Sequence, residues 1–178
     1  MAKADFEIPK LDEHPEVPPV VSGTMAHSKP FVAKPEFQDP LNFPGELPDD
    51  WHDKAIDAMG DLLGKYRSLQ VYLDSCVKCG ACTDKCHYYL GTQDPKNMPV
   101  GRQDLLRKVY RRHFTFAGKY FPKLVGAEDL TKEVLDDWYS YFHQCSQCRR
   151  CSVFCPYGID TAEISMAARE IMDRIGGG

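Results

Sequence analysis

The sequence contains no apolar stretch that approaches the roughly 18 residues needed to cross a membrane. Its first residues lack the apolar core of a secretion signal, and no arginine precedes Arg67, so a twin-arginine signal is missing as well. We therefore expect a cytoplasmic protein. In a reducing compartment its eight cysteines predict metal ligands rather than disulfides.

The sequence also lacks an excess of positive charge. The formal net charge is −4, and the whole deficit lies in residues 1–48, which hold four Lys against eight Asp or Glu. Residues 49–178 hold 18 residues of each sign. This distribution does not match the basic footprint of a nucleic-acid-binding protein, so we expect no nucleic-acid partner.

Residues 1–48 contain nine of the 13 prolines, which exclude a regular helix or a central strand there. A disordered tail is one interpretation of this stretch. The interpretation we favour is an extended Pro-rich arm whose phenylalanines dock on a partner, because prolines lower the entropy lost on docking.

Residues 49–178 have a helical period and no convincing alternating strand, which predicts an all-α domain. We expect a first helix from Asp49 or Asp50 to about Asp74 and a second that begins at Pro99. A third should run into Cys145, and a fourth should begin at an acidic capping box at Asp160 and end at Gly176. The core positions expected for the four helices are Ile56, Met59, Leu63, Tyr66 and Leu69; Leu105, Leu106, Val109 and Tyr110; Val134, Leu135, Trp138, Tyr139 and Phe142; and Ile164, Ala167, Ile171 and Ile175.

The eight cysteines form two runs with the same spacing of three, three and four residues. The first run is Cys76, Cys79, Cys82 and Cys86; the second is Cys145, Cys148, Cys151 and Cys155. A cubane cluster needs four soft thiolates, and a C-x2-C-x2-C loop can wrap three of its corners. Structural zinc would leave the third cysteine of each run unused, and a 3Fe-4S cluster usually has an altered run. The pattern predicts two 4Fe-4S clusters as cofactors.

The 58 residues between the runs read as helices, whereas small bacterial-type ferredoxins have a short gap spanned by strands. This long insert resembles the α-helical ferredoxin domain of heterodisulfide reductase C subunits and succinate dehydrogenase iron–sulfur subunits. A succinate or fumarate enzyme would carry an N-terminal 2Fe-2S domain, but residues 1–75 contain no cysteine.

A closer resemblance rests on three segments: Cys79-Gly80-Ala81-Cys82, Asp94-Pro95-Lys96-Asn97-Met98-Pro99, and Cys151-Ser152-Val153-Phe154-Cys155-Pro156-Tyr157-Gly158. Over residues 50–176 the sequence resembles the K-subunit family of the membrane complex that accompanies dissimilatory sulfite reductase, the Dsr complex. That family belongs to the heterodisulfide reductase D family.

The resemblance to two-cluster ferredoxins implies that the last cysteine of each run ligates the other run's cluster. Cluster one would then be bound by Cys76, Cys79, Cys82 and Cys155. Cluster two would be bound by Cys145, Cys148, Cys151 and Cys86. Such crossing would tie the two runs together, so we expect protein without clusters to be poorly folded.

The resemblance further implies single-electron transfer in sulfate or sulfite reduction. The electron donor would be a quinol-oxidising membrane cytochrome b, and the acceptor would be a thiol–disulfide centre in a CCG-motif protein. Through the complex, the electrons would also serve a DsrC-like sulfur carrier. This sequence has no adjacent cysteine pair and no ninth cysteine. We therefore expect no catalytic residue in it. We interpret it as a split subunit or a fragment. Two alternatives stay open: a heterodisulfide reductase C-type subunit of a soluble enzyme, and a catalytic disulfide reductase that lacks its CCG domain.

Other residues near the runs have two interpretations. Lys78, Lys85, Arg149 and Arg150 could raise cluster potentials or be solvated surface charges, and His87 could bond a cluster sulfur or be structural. The basic segment 101–123 is either a solvated helix face or a docking surface. Aromatic side chains are expected to shield the clusters from water: Tyr88, Tyr89, Phe154 and Tyr157.

Overall fold

The structure is a computed structural model that describes residues 47–176. Most of the predicted arm, residues 1–46, lies outside this range, as do Gly177 and Gly178. Residues 47–176 contain helices and no strand, which confirms the predicted all-α class. The helices are α1 (Trp51–Lys65), α2 (Arg67–Ser75), α3 (His87–Thr92), α4 (Pro99–Phe114), α5 (Phe116–Tyr120), α6 (Pro122–Val125), α7 (Lys132–His143), α8 (Arg150–Val153) and α9 (Thr161–Arg174), with 3-10 helices at Thr83–Lys85 and Pro95–Asn97.

Helix α9 lies at the centre and packs against α1, α4 and α7. Its start is fixed as the sequence predicts, because the Asp160 side chain accepts hydrogen bonds from the backbone N–H groups of Ala162 and Glu163. The Glu163 side chain does not close a capping box; it accepts a hydrogen bond from Ser68 on α2. The largest fully buried side chains of the core are Met59, Leu62, Leu69, Leu73, Leu106, Trp138, Phe142, Ile164, Ile171, Met172 and Ile175.

The predicted single helix from Asp50 to Asp74 is wrong in one respect. Tyr66 has an extended backbone, with φ −115° and ψ 93°, and separates α1 from α2. Hydrophobic periodicity could not reveal this break, because Leu62 and Leu69 lie seven residues apart and are buried on both sides of it. After the break, α2 packs on α9 and α4 and leads directly into Cys76.

The Asp94-to-Pro99 segment joins the first cysteine run to α4. Asp94 accepts hydrogen bonds from the Lys96 backbone N–H at 2.9 Å and from the Tyr141 hydroxyl at 2.6 Å. The side chain of Asn97 is fully buried and donates to the Thr92 hydroxyl at 3.1 Å. This segment therefore fixes where α4 begins relative to the cysteines. None of the helices in the described range is long and apolar enough to cross a membrane.

Candidate metal centre

The two cysteine runs fold into loops with the same backbone conformation. The residue before the second cysteine is left-handed in each run, with φ 55° at Lys78 and 57° at Gln147. The residue after that cysteine is left-handed too, with φ 80° at Gly80 and 58° at Arg149. A left-handed conformation costs a non-glycine residue roughly 1–2 kcal/mol. The sequence repeat is therefore also a structural repeat, and three of its four left-handed positions are strained.

The first of two cavities lies between the end of α2, the start of α4 and the loop after α8. It has a volume of about 360 Å³ including its open mouth. Cys76, Cys79 and Cys82 line it together with Cys155, the last cysteine of the second run. Gln103, Pro156, Tyr157 and Ile159 complete much of the wall.

The second cavity lies beside the first and has nearly the same volume, about 350 Å³. Cys145, Cys148 and Cys151 line it together with Cys86, the last cysteine of the first run. Cys151 lines both cavities and separates them. Each cavity is therefore lined by the first three cysteines of one run and by the fourth cysteine of the other run.

The exposure of the thiols differs within each run in the same way. Cys79 and Cys148, the second cysteine of each run, are exposed, and the other six are partly buried. Burial raises the pKa of the Cys82 thiol to about 11, and nearby Cys151 and Cys76 raise it further against a lowering hydrogen bond from the backbone of Val100. Burial likewise raises the pKa of Cys151. These thiols would stay protonated near neutral pH unless a cation replaced the proton, as metal binding does.

Two arginines of α4 are buried near the cysteine loops. Arg102 is 2% exposed and lines the second cavity; its Nε donates to the Tyr141 carbonyl at 2.7 Å and its Nη2 to the Asn97 side chain at 3.1 Å. Arg107 is 4% exposed and donates to the Cys76 carbonyl at 2.7 Å, while its Nε has no partner. Burial lowers the pKa of Arg107, and Arg111 adds to this effect.

These two arginines correct the interpretation of segment 101–123 as a surface. They point into the protein, so the segment is neither wholly a solvated face nor wholly a docking surface. Helical spacing contained the signal, because Arg102, Leu106 and Val109 fall at i, i+4 and i+7 on the core face. Within residues 47–176 no carboxylate forms an ion pair with Arg102 or Arg107.

The exposed cations near the loops are paired with acids instead. Lys78 binds Asp104 at 2.8 Å, Lys85 binds Asp84 at 2.7 Å, and Arg149 binds Asp160 at 3.2 Å. In each pair the negative carboxylate opposes the effect of its positive partner on a nearby cavity.

The expected aromatic shield is only partial. Tyr88 and Tyr89 are half-buried, whereas Phe154 and Tyr157 are 49% and 55% exposed. His87 is exposed and lines the second cavity, with its Nε2 3.4 Å from the Ser146 hydroxyl. Aromatic residues therefore cover one side of the cysteine loops and leave an apolar surface open on the other.

The donor set and the surroundings fit iron–sulfur clusters. A 4Fe-4S cluster with four thiolates is anionic and takes soft sulfur ligands. Each cavity offers at least four cysteine sulfurs, and the buried Arg102, which forms no ion pair within the described residues, would have an anion beside it at the second cavity. A buried charge without such compensation costs several kcal/mol.

Comparison with known proteins agrees with this chemistry. The family model for the 4Fe-4S dicluster domain matches residues 72–159. The chain is 56% identical over 131 residues to the Hdr-like menaquinol oxidoreductase iron-sulfur subunit 2 of Archaeoglobus fulgidus. It is 53% identical over 131 residues to the corresponding iron-sulfur subunit of Archaeoglobus profundus. These matches cover 74% of this chain and 24% of each relative.

A more distant relative is the D subunit of the dihydromethanophenazine:CoB--CoM heterodisulfide reductase of Methanosarcina barkeri. It is 30% identical over 97 residues, which cover 54% of this chain and 23% of the relative. No solved structure matches the chain. The chain thus spans about a quarter of the length of the curated relatives it matches.

Together, the fold and these matches identify a helical 4Fe-4S dicluster domain that is similar to the iron–sulfur subunits of Hdr-like oxidoreductases. They do not single out the K subunit of the Dsr complex, so that narrower resemblance stays a prediction.

Proposed function

We propose that this chain carries two 4Fe-4S clusters and passes single electrons within an Hdr-like or Dsr-type complex of sulfur metabolism. The observation that carries the proposal is the arrangement of the thiols: each of two neighbouring cavities is lined by the first three cysteines of one run and the fourth cysteine of the other, and Cys151 borders both. A 4Fe-4S cluster exchanges one electron at a time.

The ligand assignment in this proposal is crossed between the runs. Cys76, Cys79, Cys82 and Cys155 hold cluster one, and Cys145, Cys148, Cys151 and Cys86 hold cluster two. The positions of Cys155 and Cys86 support the crossing, since each lines the cavity of the other run. Cys151 belongs to cluster two because it is the third thiol of its own loop, although it also borders the first cavity.

The crossing has a direct spectroscopic test. Cys86→Ser should perturb the EPR signal of the cluster held by Cys145, Cys148 and Cys151, and Cys155→Ser that of the other cluster. Anaerobically purified protein should contain about eight iron and eight sulfide per chain. Damage confined to the cluster of the mutated run would contradict the crossing, and zinc in place of iron would contradict the clusters.

The surfaces over the two cavities suggest where electrons enter and leave. Each loop presents its exposed second cysteine, Cys79 or Cys148, as the part of the cavity wall nearest to solvent. Beside the first cavity lie the exposed apolar side chains Val77 and Tyr157. Beside the second lie polar or charged groups, among them Lys85, His87 and Arg149. We propose that two different partners dock at these two faces.

For the partners we propose a membrane cytochrome b-type subunit as donor and a CCG-domain protein or domain as acceptor, with a DsrC-like carrier served through the complex. The name of the Archaeoglobus relatives, menaquinol oxidoreductase, is consistent with a quinol-linked donor. In this arrangement the chain lies peripherally on the inner membrane face and is held there by its partners.

Disulfide reduction by this chain alone is the second candidate, and the cysteine inventory disfavours it. Reduction of a disulfide needs two electrons and a group that holds the sulfur after the first. With all eight cysteines bound in clusters, no thiol would remain to attack a disulfide.

Turnover assays distinguish these two candidates. The chain with its clusters, reduced by a viologen dye, should show no turnover with a heterodisulfide or a protein trisulfide, and activity should appear when a CCG-containing partner is added. A chain with Cys148→Ser is the matched control, since it should lose partner-dependent turnover as its cluster is damaged. Turnover by the pure chain at a rate that the partner does not change would favour the catalytic candidate.

A further inference from the structure

Three side chains outside the cysteine loops meet where α1, α4 and the loop before α7 come together. His52 lies in the first turn of α1, His113 in the last turn of α4, and Asp129 in the loop before α7. The Nε2 atom of His113 lies 2.8 Å from Asp129 Oδ1, and the Nε2 atom of His52 lies 3.3 Å from the same oxygen. All three candidate ligand atoms lie within 4.8 Å of one another.

This spacing is close to that of three ligands around one small cation. Zinc binds imidazole nitrogen at about 2.0–2.1 Å and carboxylate oxygen at about 2.0–2.2 Å, so neighbouring tetrahedral ligands lie roughly 3.4 Å apart. The His52 distance of 3.3 Å lies near that value, whereas the His113 distance of 2.8 Å is shorter, so the His113 ring would move away from Asp129 to admit an ion. Two imidazoles and one carboxylate are also a ligand set that binds zinc with one position left for water.

Groups around the three side chains hold them in a ligand orientation. The other ring nitrogen of His52, Nδ1, lies 3.4 Å from the Asp53 carboxylate, which is the carboxylate–histidine support that metal sites usually have. The Leu130 backbone N–H donates to Asp129 Oδ1 at 2.9 Å and fixes that carboxylate. The His52 ring packs edge-on against Trp51, and the two histidine rings pack at 65° to each other.

We propose that His52, His113 and Asp129 bind one divalent transition-metal ion of the zinc class, with water in the fourth position. The ion would occupy the place of the two Nε2–H protons that now point at Asp129, so the metal-bound and hydrogen-bonded states exclude each other. It would tie the start of α1 to the end of α4 and to the loop before α7. The site uses no cysteine and is separate from the two cavities.

The ligand types keep this ion distinct from iron–sulfur chemistry. Thiolates favour the clusters, whereas imidazole nitrogen and a carboxylate favour zinc. A neutral imidazole is the ligand form, so protons compete with the metal ion for the two histidines and metal binding should weaken as the pH falls. His52 and His113 are 21–37% exposed, which leaves the ion a path from solvent.

The test uses the chain with its clusters intact, dialysed anaerobically against zinc chloride and freed of excess metal. Wild-type protein should retain one zinc beside its full iron content, and X-ray absorption at the zinc edge should show nitrogen or oxygen neighbours at about 2.0–2.1 Å. His113→Gln and Asp129→Asn should each weaken zinc binding at least tenfold. His143→Gln is the matched control: this exposed histidine of α7 bonds the Tyr139 carbonyl and should leave zinc binding unchanged.

A second readout is independent of absorption spectra. Zinc should raise the melting temperature of wild type and His143→Gln but not of His113→Gln, because only a ligand bound to the folded state stabilises it. Zinc with sulfur neighbours at about 2.3 Å would show displaced clusters and overturn the proposal. Failure to retain zinc would overturn it too and leave a hydrogen-bonded His–Asp–His contact. Failure to retain zinc leaves the iron count unchanged, and iron is measured in the same samples, so this proposal and the electron-transfer proposal can fail separately.

Discussion

Arg102 and Arg107 place two buried positive charges near the cysteine loops, and only Arg102 lines one of the two cavities. Arg102 lines the second cavity, and Arg107 donates to the carbonyl of Cys76 at the first. A guanidinium cannot lose its proton at any ordinary pH, so each keeps its charge although it is buried. Such a charge favours the more negative, reduced state of a nearby cluster and raises its reduction potential.

Arg102→Gln should therefore lower the potential of the cluster in the second cavity more than that of the first. A unit charge about 8 Å away at an effective dielectric constant of 20 is worth about 2 kcal/mol, or roughly 80 mV for one electron. An EPR-monitored redox titration measures both clusters in one sample. Arg150→Gln removes an exposed charge next to a ligand and should shift either potential by much less. Equal shifts in the two variants would mean that burial of Arg102 does not matter.

At this scale the sequence predicts the candidate ligands but not all of their surroundings. Cysteine spacing is local, so the candidate ligands could be found without a structure. The three strained left-handed residues, Lys78, Gln147 and Arg149, had no such signal, because neither lysine, glutamine nor arginine prefers that conformation. The arginines behind the cavities were missed because a run of basic residues was interpreted by its charge rather than by its helical position.

Helix α4 approaches the 3-10 helix before it closely at Gly101, near the start of α4. A Cβ added at Gly101 would lie 2.3 Å from the carbonyl oxygen of Pro95, so only glycine lets the helix approach the 3-10 helix before it. The clash could not be relieved by a small local movement, because main-chain atoms cannot move aside as the end of a flexible side chain can.

Gly101→Ala should destabilise the protein by about 3 kcal/mol, the upper range for overpacking at a rigid site. Chemical denaturation of the cluster-bound protein measures this loss. Gly64→Ala in α1 is the matched control, because nothing lies within 4 Å of the added Cβ. That change should be neutral or stabilise by up to about 1 kcal/mol, since alanine is the better helix former. A harmless Gly101→Ala would show that α4 and the Asp94-to-Pro99 segment can separate.

Asp160 links α9 to the second cysteine loop. Its Oδ1 accepts hydrogen bonds from the Ala162 N–H at 2.9 Å and from the Ser152 hydroxyl at 2.8 Å, while its Oδ2 pairs with Arg149. One carboxylate therefore caps the central helix and also braces the loop between Cys148 and Cys155.

Asp160→Ala should cost about 1–2 kcal/mol of stability through the lost cap, and it should speed loss of the cluster bound next to this loop. The decay of visible absorption in air measures the second effect. Asp173→Ala, at the exposed far end of α9, should do neither, because an acid there opposes the helix dipole. Equal rates of cluster loss in the two variants would show that the contacts of Asp160 do not stabilise the second cysteine loop.

Prediction of the helices from sequence worked where caps and periodicity agree and failed where the chain bends. Helices α4, α7 and α9 have a proline, threonine or aspartate at their starts and a clear apolar face, and they were predicted. The short helices α3, α5, α6 and α8 were not. Each has at most six residues, which is too short for an apolar period to be recognised.

The described residues divide into a packed helical core and two segments that have no packed core of their own. Residues 74–96 and 143–158 contain all eight cysteines, and no side chain in either segment is buried. The buried apolar side chains belong instead to α1, α2, α4, α7 and α9, with Leu130 and Ile159 beside them. Hydrophobic burial therefore stabilises the helices but contributes little to the cysteine loops.

Removal of the clusters should consequently unfold the two cysteine segments and leave much of the helical core in place. The loops contain three strained left-handed residues, worth about 1–2 kcal/mol each, and no fully buried apolar side chain to offset that cost. Metal ligation would supply the missing free energy and, if the fourth ligands cross, would also join the two segments to each other. Helices α1, α4 and α9 would keep their contacts with one another.

Hydrogen exchange before and after anaerobic oxidation and chelation of the iron measures this outcome peptide by peptide. Peptides from 74–96 and 143–158 should lose protection by at least tenfold, and those from α4 and α9 should lose much less. Cys148→Ser offers a milder form of the same test, since damage to one cluster should release both segments when each holds a ligand of it. Release of 143–158 alone would mean that each run binds its own cluster, and loss of protection throughout the chain would mean that the helical core does not stand without metal.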